Sequence, residues 1–496
     1  MRKIVYLPLD ERPCNAKFPA KLLENNAEFL LVTAPREILG DKKTPAKYGA
    51  VEEFLVRETA DADCLVLSVD TLLYGGIVPS RLHGETREEL KKRLSLVRTL
   101  RDKNPKMTIY AFHLLMRCPQ YSSDDEEPFY YGICGREIFL TGELRDRRDL
   151  SLDYDAEKLA ELEKKTAPYL EDYLSRRAVN LEMDFMSVDM AGGAIDYLVL
   201  PQDDSSVYGF IAQDQRKIRA YIREKNKQNV TAIYPGCDET GMTLIARYIN
   251  SVKGAPRVDI RWASAFGPSV IPLYEDRPVG ETIKYQLTAA GCVLDGAADF
   301  TLYVNVPSKD MTDANASGSF RSYEVERCLP EFVENIAWRV KRGGRAAVAD
   351  IAYVNGGDAE LVRMLEEKGC LFRLAAYAGW NTSSNSLGTA VFQASVYTHF
   401  GNTPEHEKFL ALRYYEDVGY CSRVRKQICE RFLPALGLNY FDAGGKRGAA
   451  ADEVAKELNA YIGALLPEVA ARFEVGEAVQ PWARMFETDL EIIEKE

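Results

Sequence analysis

The chain has 496 residues, of which 46% are hydrophobic and 28% are charged, and its formal net charge is −12. This composition is typical of a globular protein and excludes the disordered and collagen-like classes. Because no basic excess is present to neutralise phosphates, we expect neither nucleic acid nor a membrane surface as a partner, and a small-molecule substrate instead.

Short apolar runs alternate with amphipathic stretches along most of the chain. The predicted strands are 4–9, 29–33, 64–69, 107–112, 197–200, 230–234, 258–263, 300–304, 346–351 and 372–376. The predicted helices between them are 87–101, 211–225, 242–251, 330–342 and 358–368. Continuous apolar strands that alternate with helices indicate parallel sheets covered on both faces, so we predict an α/β fold.

Two architectures accommodate this alternation. The first eight strands could close a (β/α)8-like barrel, or the strands up to Leu200 and those from Val230 onward could form two doubly wound sheets. We predict an α/β catalytic region over residues 1–400, with a possible sub-boundary near 226–230, and a helical C-terminal region over residues 401–496.

One long segment interrupts the alternation after the fourth strand. Residues 119–150 are polar and rich in Asp, Glu, Arg and Tyr, which predicts a long loop or lid. Residues 156–177 are charged and strongly helical, which predicts a surface helix. We therefore interpret residues 119–185 as an insert in the α/β region.

The cysteines indicate the compartment. None of the ten forms a Cys-x-x-Cys pair, and several, such as Cys64, lie in apolar runs where a thiol behaves as a small hydrophobe. This usage is typical of a reducing compartment, so we expect a cytoplasmic protein. The first apolar run is too short for a signal peptide, and no run approaches the length of a membrane span, so we also expect solubility.

Polar and aromatic side chains gather where the predicted strands end, which is where parallel α/β proteins place their functional groups. They are Asp10, Glu11 and Arg12 after the first strand, Asp70 and Tyr74 after the third, Arg117 after the fourth, Asp203, Asp204 and Tyr208 after the fifth, Asp238 and Glu239 after the sixth, and Trp380, Asn381 and Asn385 after the last. Lysine is almost absent from this set, whereas an ordinary surface would include it.

Each group also has a purely structural interpretation. The pairs Asp203-Asp204 and Asp238-Glu239 could cap the helices that follow them. Asp10 and Arg12 could form an ion pair, and Trp380 could belong to the core. None of these interpretations explains why all the groups follow the same ends of the strands.

Adjacent carboxylates have a definite chemical use. One can be held protonated by the charge of its neighbour and act as general acid, while the other stays ionised. Asp204 or Glu239 would be the acid, and Asp203 or Asp238 would orient the substrate or stabilise positive charge. With aromatic and amide groups nearby, this arrangement predicts a glycoside hydrolase without a cofactor, possibly one for N-acetylhexosaminides by analogy with enzymes that use tandem acidic pairs.

In this interpretation the remaining candidates bind the sugar. They are Asp10, Glu11, Arg12, Asp70, Tyr74, Arg117, Tyr208, Trp380, Asn381 and Asn385. Two alternatives stay open. The same carboxylates could hold Mg²⁺ or Mn²⁺ for metal-dependent hydrolysis, or the protein could bind a small molecule without catalysis.

Three segments resemble the motifs of a known bacterial family, a domain of unknown function of similar length. They are residues 7–15 (LPLDERPCN), 202–209 (QDDSSVYG) and 379–388 (GWNTSSNSLG). The resemblance runs from the first strand to at least Gly388. It implies a bacterial, single-chain protein and suggests that the three motifs belong to one site, and it implies no particular reaction.

Overall fold

The structure is a computed structural model that describes residues 1–316 and 321–495. Its strands are β1 (Arg2–Leu7), β2 (Phe29–Thr33), β3 (Cys64–Ser68), β4 (Thr108–Phe112), β5 (Tyr197–Gln202), β6 (Thr231–Pro235), β7 (Arg257–Trp262), β8 (Val293–Leu294), β9 (Phe300–Asn305), β10 (Thr312–Asp313), β11 (Ala346–Asp350), β12 (Tyr353–Val354), β13 (Ala376–Ala378), β14 (Phe473–Val479) and β15 (Asp489–Glu494).

The helices alternate with these strands. They are α1 (Pro13–Ala16), α2 (Phe18–Leu23), α3 (Tyr48–Glu58), α4 (Val69–Tyr74), α5 (Ile77–Leu82), α6 (Arg87–Lys103), α7 (Tyr131–Asp149), α8 (Ala156–Met190), α9 (Phe210–Glu224), α10 (Thr240–Lys253), α11 (Val279–Ala289), α12 (Arg321–Glu324), α13 (Leu329–Lys341), α14 (Ala359–Glu367), α15 (Ser383–Phe400), α16 (Pro404–Arg413), α17 (Arg425–Arg431), α18 (Ala449–Leu465) and α19 (Pro467–Arg472). A π-helix occupies Tyr414–Val424, and short 3-10 helices occupy Thr59–Asp61, Gly267–Ser269, Leu371–Arg373, Leu433–Leu436 and Pro481–Ala483.

The chain divides into two compact units, each made of several segments. The first unit comprises Met1–Glu11, Asn25–Leu244 and Tyr274–Asp276. The second comprises Arg12–Glu24, Ile245–Leu273 and Arg277–Glu496. Near its start, and again near residue 275, the chain therefore leaves one unit for a short stretch and then returns.

The first unit is built on a six-stranded parallel sheet in the order β2-β1-β3-β4-β5-β6. β3 is buried along its whole length, as is β5, which explains their continuous apolar sequences. The order reverses between β1 and β3, so the loops after these two strands flank a topological switch point. The predicted α/β class is confirmed.

Helices cover this sheet through apolar faces. In α6 the side chains of Leu90, Leu94 and Val97 pack into the core together with Leu65 and Leu67 of β3. The helix begins where the Thr86 hydroxyl accepts a hydrogen bond from the Glu89 N–H at 3.3 Å, and acidic residues occupy its first turn. Capping and amphipathic spacing together fix this element.

The predicted loop over 119–150 is wrong in its second half, because α7 occupies Tyr131–Asp149 and packs against α8. The two helices share a small buried apolar cluster, which includes Tyr131, Ile138 and Phe139 of α7 and Leu170 and Tyr173 of α8. Most of the charged residues of α7 are at least partly exposed, whereas Asp146 is buried and pairs with Arg216. The insert is therefore a pair of helices with its own apolar cluster.

The second unit contains a five-stranded parallel sheet in the order β13-β11-β9-β7-β8. The predicted strand 372–376 is shifted, because Leu371–Arg373 form a 3-10 helix and β13 starts only at Ala376. The C-terminal region has the predicted helices, but it ends in an antiparallel pair, β14 and β15, that the helical pattern did not predict.

Of the two predicted architectures, the pair of sheets is confirmed. The strands of the described residues form open sheets and no closed barrel. β6, which follows the predicted sub-boundary near 226–230, still belongs to the first sheet, and the chain passes to the second unit within α10. Within residues 1–316 and 321–495, no helix combines the length and apolarity needed to cross a bilayer.

Candidate functional site

The loop after β5 carries the first predicted pair of acids. Asp203 and Asp204 follow the last residue of the strand, Gln202, and Asp204 has a positive φ of 43°. A non-glycine residue rarely adopts this backbone conformation, and such residues cluster at functional loops. The turn directs both neighbouring carboxylates toward arginine partners, one of which they share.

Those partners are two arginines. One guanidinium nitrogen of Arg117, Nη1, lies 3.6 Å from Asp203 Oδ2 and 3.0 Å from Asp204 Oδ2. Nη2 of Arg81 donates to Asp203 Oδ2 at 2.8 Å. Arg117, in the loop after β4, therefore contacts both acids, and Arg81, in α5, contacts Asp203.

Two further carboxylates complete the group. Glu127 accepts a hydrogen bond from Arg117 Nε at 2.8 Å and one from Arg81 Nη1 at 3.3 Å. Glu126 accepts from Arg81 Nη1 at 2.9 Å and from Arg117 Nη2 at 3.2 Å. We call Arg81, Arg117, Glu126, Glu127, Asp203 and Asp204 the arginine–carboxylate cluster.

The cluster is buried around Arg81 and Glu127 and partly open at Asp203 and Asp204. The side chains of Arg81 and Glu127 are 3% and 1% exposed, whereas those of Asp203 and Asp204 are 16% and 15% exposed. Two guanidinium groups face four carboxyl groups, so the cluster carries excess negative charge if all are ionised. Asp203 and Asp204 are therefore more accessible to a solute than Arg81 and Glu127.

Asp204 has a raised pKa. Burial raises the pKa of Asp204 to about 7, the negative charge of Asp203 adds to the rise, and the Arg117 guanidinium opposes it. Neighbouring carboxyls that interact this strongly titrate as a pair, in which one holds a proton that the other has lost. The tandem can therefore present an acid and a carboxylate side by side near neutral pH.

The second predicted pair has a different environment. After β6 the chain turns through Gly236, whose φ is 140°, and Glu239 Oε2 accepts a hydrogen bond from the Cys237 N–H at 2.8 Å. Glu239 is completely buried, and burial raises its pKa to about 8, with a further rise from Asp238. A Cβ at position 236 would lie 2.1 Å from Glu239 Oε1, so this loop closes tightly over the carboxyl.

Asp70 supports the loop that carries Arg117. It lies in the first turn of α4, and its Oδ2 accepts a hydrogen bond from the Leu114 N–H at 2.9 Å. Burial raises the pKa of Asp70 to about 7. Tyr74, at the end of the same helix, is buried with its ring centroid 4.5 Å from that of His83. Asp70 therefore stabilises the loop that carries Arg117, and Tyr74 packs against His83.

The remaining candidates of the first unit follow β1 and β5. Glu11 is 3.7 Å from the Arg36 guanidinium and accepts a hydrogen bond from the Lys42 N–H at 3.4 Å. Asp10 is buried directly after β1. The Tyr208 ring is covered by the Arg147 guanidinium, which lies 5.0 Å from its centroid.

The other predicted binding residues belong to the second unit. Arg12, Trp380 and Asn381 line one cavity of about 20 Å³, which has room for about one water molecule. Trp380 is also a packing residue, with its indole 5.8 Å from the Phe18 ring and its Nε1–H bonded to Thr389 at 3.2 Å. Asn385 lies buried in the first turns of α15.

Arg12 and Asn381 are fixed by local geometry. The Arg12 guanidinium lies 4.7 Å from the ring centroid of Trp482, a cation–π distance. Asn381 has a positive φ of 52°, and its carbonyl accepts a hydrogen bond from the Asn355 N–H at 2.8 Å. The hydrogen bond between Asn355 and Asn381 stabilises the loop after β13.

Of the predicted site residues, Arg117, Asp203 and Asp204 contact one another directly. Sequence reasoning missed Arg81, Glu126 and Glu127, because Arg81 lies inside a helix and the two acids lie in the insert. The only signal for Glu126 and Glu127 was the density of charge in residues 119–150, and Arg81 had none. Across the described ranges, no group of three or more His, Cys, Asp or Glu side chains is arranged to hold a metal ion.

Comparison with known proteins gives one family. Its model, described as Protein of unknown function (DUF4127), matches residues 4–491. The match covers both units and all three motifs that suggested a family resemblance. A comparison with curated proteins finds no match.

Proposed function

The chain belongs to the DUF4127 family, whose description names no reaction, and from its own residues we propose that it is a glycoside hydrolase using Asp203 and Asp204. The observation that carries this proposal is the shared contact of both carboxyls with the Arg117 guanidinium while both stay partly open to solvent. Hydrolysis of a glycoside needs one protonated and one ionised carboxyl at the scissile bond.

Asp204 is the proposed general acid. A carboxyl with a pKa of about 7 carries its proton in about half of the molecules at pH 7, so it can donate that proton to the leaving oxygen as the C–O bond breaks. The proton comes from the carboxyl and ends on the released hydroxyl. Water, the second substrate, then supplies the hydroxyl group to the sugar and returns a proton to the protein.

Asp203 is the proposed charged partner. Its Oδ2 contacts the guanidinium groups of both Arg81 and Arg117. A carboxylate at this point can stabilise the positive charge that develops on the sugar ring, or orient the acetamido group of an N-acetylhexosaminide. The two acids thus have different surroundings, because Asp203 contacts two arginines and Asp204 contacts one.

The two alternative functions use the same residues. A divalent cation would compete with Arg81 and Arg117 for the carboxylate oxygens that these arginines already contact, so the geometry favours acid–base chemistry. A binding protein without catalysis would have no need for an acid that keeps its proton at neutral pH. One experiment distinguishes all three.

The experiment is hydrolysis of chromogenic glycosides, including N-acetylhexosaminides, by the purified full-length protein with and without EDTA. We expect chelator-resistant release of the chromophore by the parent chain. Asp204→Asn should lower kcat/KM by about 100-fold or more, because the amide cannot donate the proton. Asp153→Asn, a change at an exposed loop acid outside the cluster, serves as the matched control and should leave the rate unchanged.

Each other result assigns the carboxylates differently. Activity that disappears with EDTA and returns with Mg²⁺ or Mn²⁺ would replace the proposal by metal-dependent hydrolysis. If the folded protein hydrolyses no glycoside in the panel, or if Asp204→Asn keeps full activity, the proposed acid–base role of Asp204 is wrong.

A further inference from the structure

An aromatic groove lies beside the arginine–carboxylate cluster in the first unit. Its volume is about 380 Å³, and Phe129, Tyr130 and Tyr169 form its aromatic wall. Phe129 is 66% exposed and is contiguous with the other two rings, and contiguous apolar patches are typical of binding surfaces. None of these rings takes part in the contacts of the cluster.

The wall is a fixed assembly. The rings of Tyr130 and Tyr169 stack at 5.1 Å and 13°, and Phe129 meets both edge-on, with centroids 5.5 and 5.8 Å away. The Tyr130 hydroxyl donates to Asp172 Oδ2 at 2.7 Å, which holds the ring from its polar end. The groove is thus formed before any ligand arrives, which lowers the cost of binding.

A charged pair borders the aromatic wall. The Arg176 guanidinium donates to Asp172 through Nη1 at 3.0 Å and through Nη2 at 3.1 Å. Arg176 is further anchored by a hydrogen bond from its Nε to the His83 carbonyl at 2.9 Å. Apolar rings beside a carboxylate and a guanidinium match the two faces of a sugar, whose C–H groups pack on rings and whose hydroxyls take hydrogen bonds.

The groove and the cluster are neighbours along two segments of the chain. Leu82 lines the groove and directly follows Arg81, and Pro128 lines it directly after Glu127. A molecule with one sugar at Asp203 and Asp204 has the aromatic wall within reach of a further sugar unit. This proximity, together with the paired aromatic and charged surfaces, favours an oligosaccharide over a proline-rich peptide as the occupant.

We propose that the aromatic groove is a subsite that binds a further sugar unit of an oligosaccharide whose scissile bond lies at the arginine–carboxylate cluster. The inference rests on the proposed function and deepens it, because it assigns an oligosaccharide rather than a simple glycoside as the substrate class. Phe129 is the residue that contributes most of the accessible aromatic surface.

The test measures binding separately from turnover. Tri-N-acetylchitotriose and cellotriose are titrated calorimetrically into the Asp204→Asn protein, alongside the corresponding monosaccharides. We expect saturable binding of one trisaccharide at least about 10-fold tighter than that of its monosaccharide. Phe129→Ala should remove most of this difference, Phe129→Trp should restore it, and Phe441→Ala, at another exposed phenylalanine, should leave it unchanged.

The outcomes separate this inference from the proposed function. Trisaccharide binding that depends on Phe129, without hydrolysis of any glycoside by the parent chain, supports the groove and overturns the glycosidase. Equal affinity for trisaccharide and monosaccharide, or trisaccharide binding that Phe129→Ala leaves intact, overturns the groove as a sugar subsite. Saturable binding of a proline-rich decapeptide instead of either trisaccharide would also overturn it.

Discussion

Asp203 and Asp204 are adjacent in sequence, yet their charged neighbours differ. Asp203 contacts two arginines, whereas Asp204 contacts one and lies beside the charge of its neighbour. Since the charge of Asp203 raises the pKa of Asp204, the two carboxyls form a coupled pair. A change at one must therefore alter the titration of the other.

This coupling predicts the pH dependence of the reaction. In the proposed mechanism the reaction needs protonated Asp204, so kcat/KM should fall about tenfold per pH unit above pH 7. Asp203→Asn removes the neighbouring negative charge, which lowers the pKa of Asp204 and shifts the alkaline limb of kcat/KM to lower pH. The measurement is the pH profile of kcat/KM for both proteins.

The opposite shift provides the control. Arg117→Gln removes the positive charge that lowers the pKa of Asp204. The alkaline limb of kcat/KM in this variant should therefore move to higher pH. Circular dichroism establishes that each variant is folded before its profile is compared. Identical alkaline limbs in all three proteins would mean that Asp204 does not supply the proton.

Asp70 makes a separate prediction about stability. Its pKa is about 7 in the folded protein and 3.8 in the unfolded chain. Between pH 3.8 and pH 7, therefore, Asp70 is protonated in the folded protein and ionised in the unfolded chain. The contribution of Asp70 to the free energy of unfolding is therefore present at low pH and is lost as the pH rises toward 7. Asp70→Asn keeps an acceptor for the Leu114 N–H but cannot ionise.

We expect Asp70→Asn to gain stability relative to the parent protein as the pH increases from 5 to 8.5, by about 2 kcal/mol. Urea unfolding at the two pH values measures this difference. The Asp153→Asn protein should show no such change, because that side chain is exposed. A difference between Asp70→Asn and the parent that is the same at both pH values would contradict the buried titration.

At the scale of elements, α7 shows where sequence reasoning was insufficient. Its buried positions Tyr131, Ile138, Phe139 and Gly142 follow helical spacing, but glycines and charged residues separate them and lower the apolar signal. The parallel strands were predictable because burial on both faces leaves continuous apolar runs. β13 is short and follows a 3-10 helix, so an apolar run alone misplaced it.

The same limits explain how much of the site was predictable. Asp203, Asp204 and Arg117 follow strands, and the rule for the ends of parallel strands finds them. Arg81, in contrast, comes from α5, and Glu126 and Glu127 come from the insert, whose fold depends on tertiary contacts with α8. Charge pairs between distant segments leave no periodic trace in a sequence.

The packing of α7 yields a matched pair of glycine variants. A Cβ at Gly142 would lie 2.7 Å from the Phe210 ring, whereas one at Gly132 would meet only Asp124 at 3.4 Å. Gly142→Ala should lower the free energy of unfolding by about 1–3 kcal/mol through overpacking, despite the better helix propensity of alanine. Gly132→Ala should be close to neutral, and thermal unfolding of both proteins measures the contrast.

At the scale of the whole molecule, each compact unit is built from segments that are not consecutive in the sequence. Phe18, in a segment between two parts of the first unit, belongs to the second, where its ring contacts Trp380 at 5.8 Å and Phe409 at 5.7 Å. The Arg413 guanidinium lies 4.0 Å from the same ring. Residues distant in sequence therefore share one core.

This assignment predicts which part of the protein each phenylalanine stabilises. Phe18→Ala should cost about 3–5 kcal/mol and increase amide hydrogen exchange in α16 and β13. Phe29→Ala, at a similarly buried ring on β2, should increase exchange in β1 and β3 instead. Hydrogen exchange with mass spectrometry distinguishes these patterns, and the same pattern for both variants would contradict the division into units.

The early position of α1 and α2 also has a consequence for synthesis on the ribosome. These helices emerge long before Trp380 and Arg413, and the ion-pair partner of Lys17 is Asp489, close to the end of the chain. At translation rates of roughly 5–20 residues per second, they wait on the order of 20–100 seconds for their native neighbours. The apolar segment that follows β1 in the sequence lacks its native neighbours throughout this time, so we expect folding of the second unit to finish only after synthesis has passed residue 413.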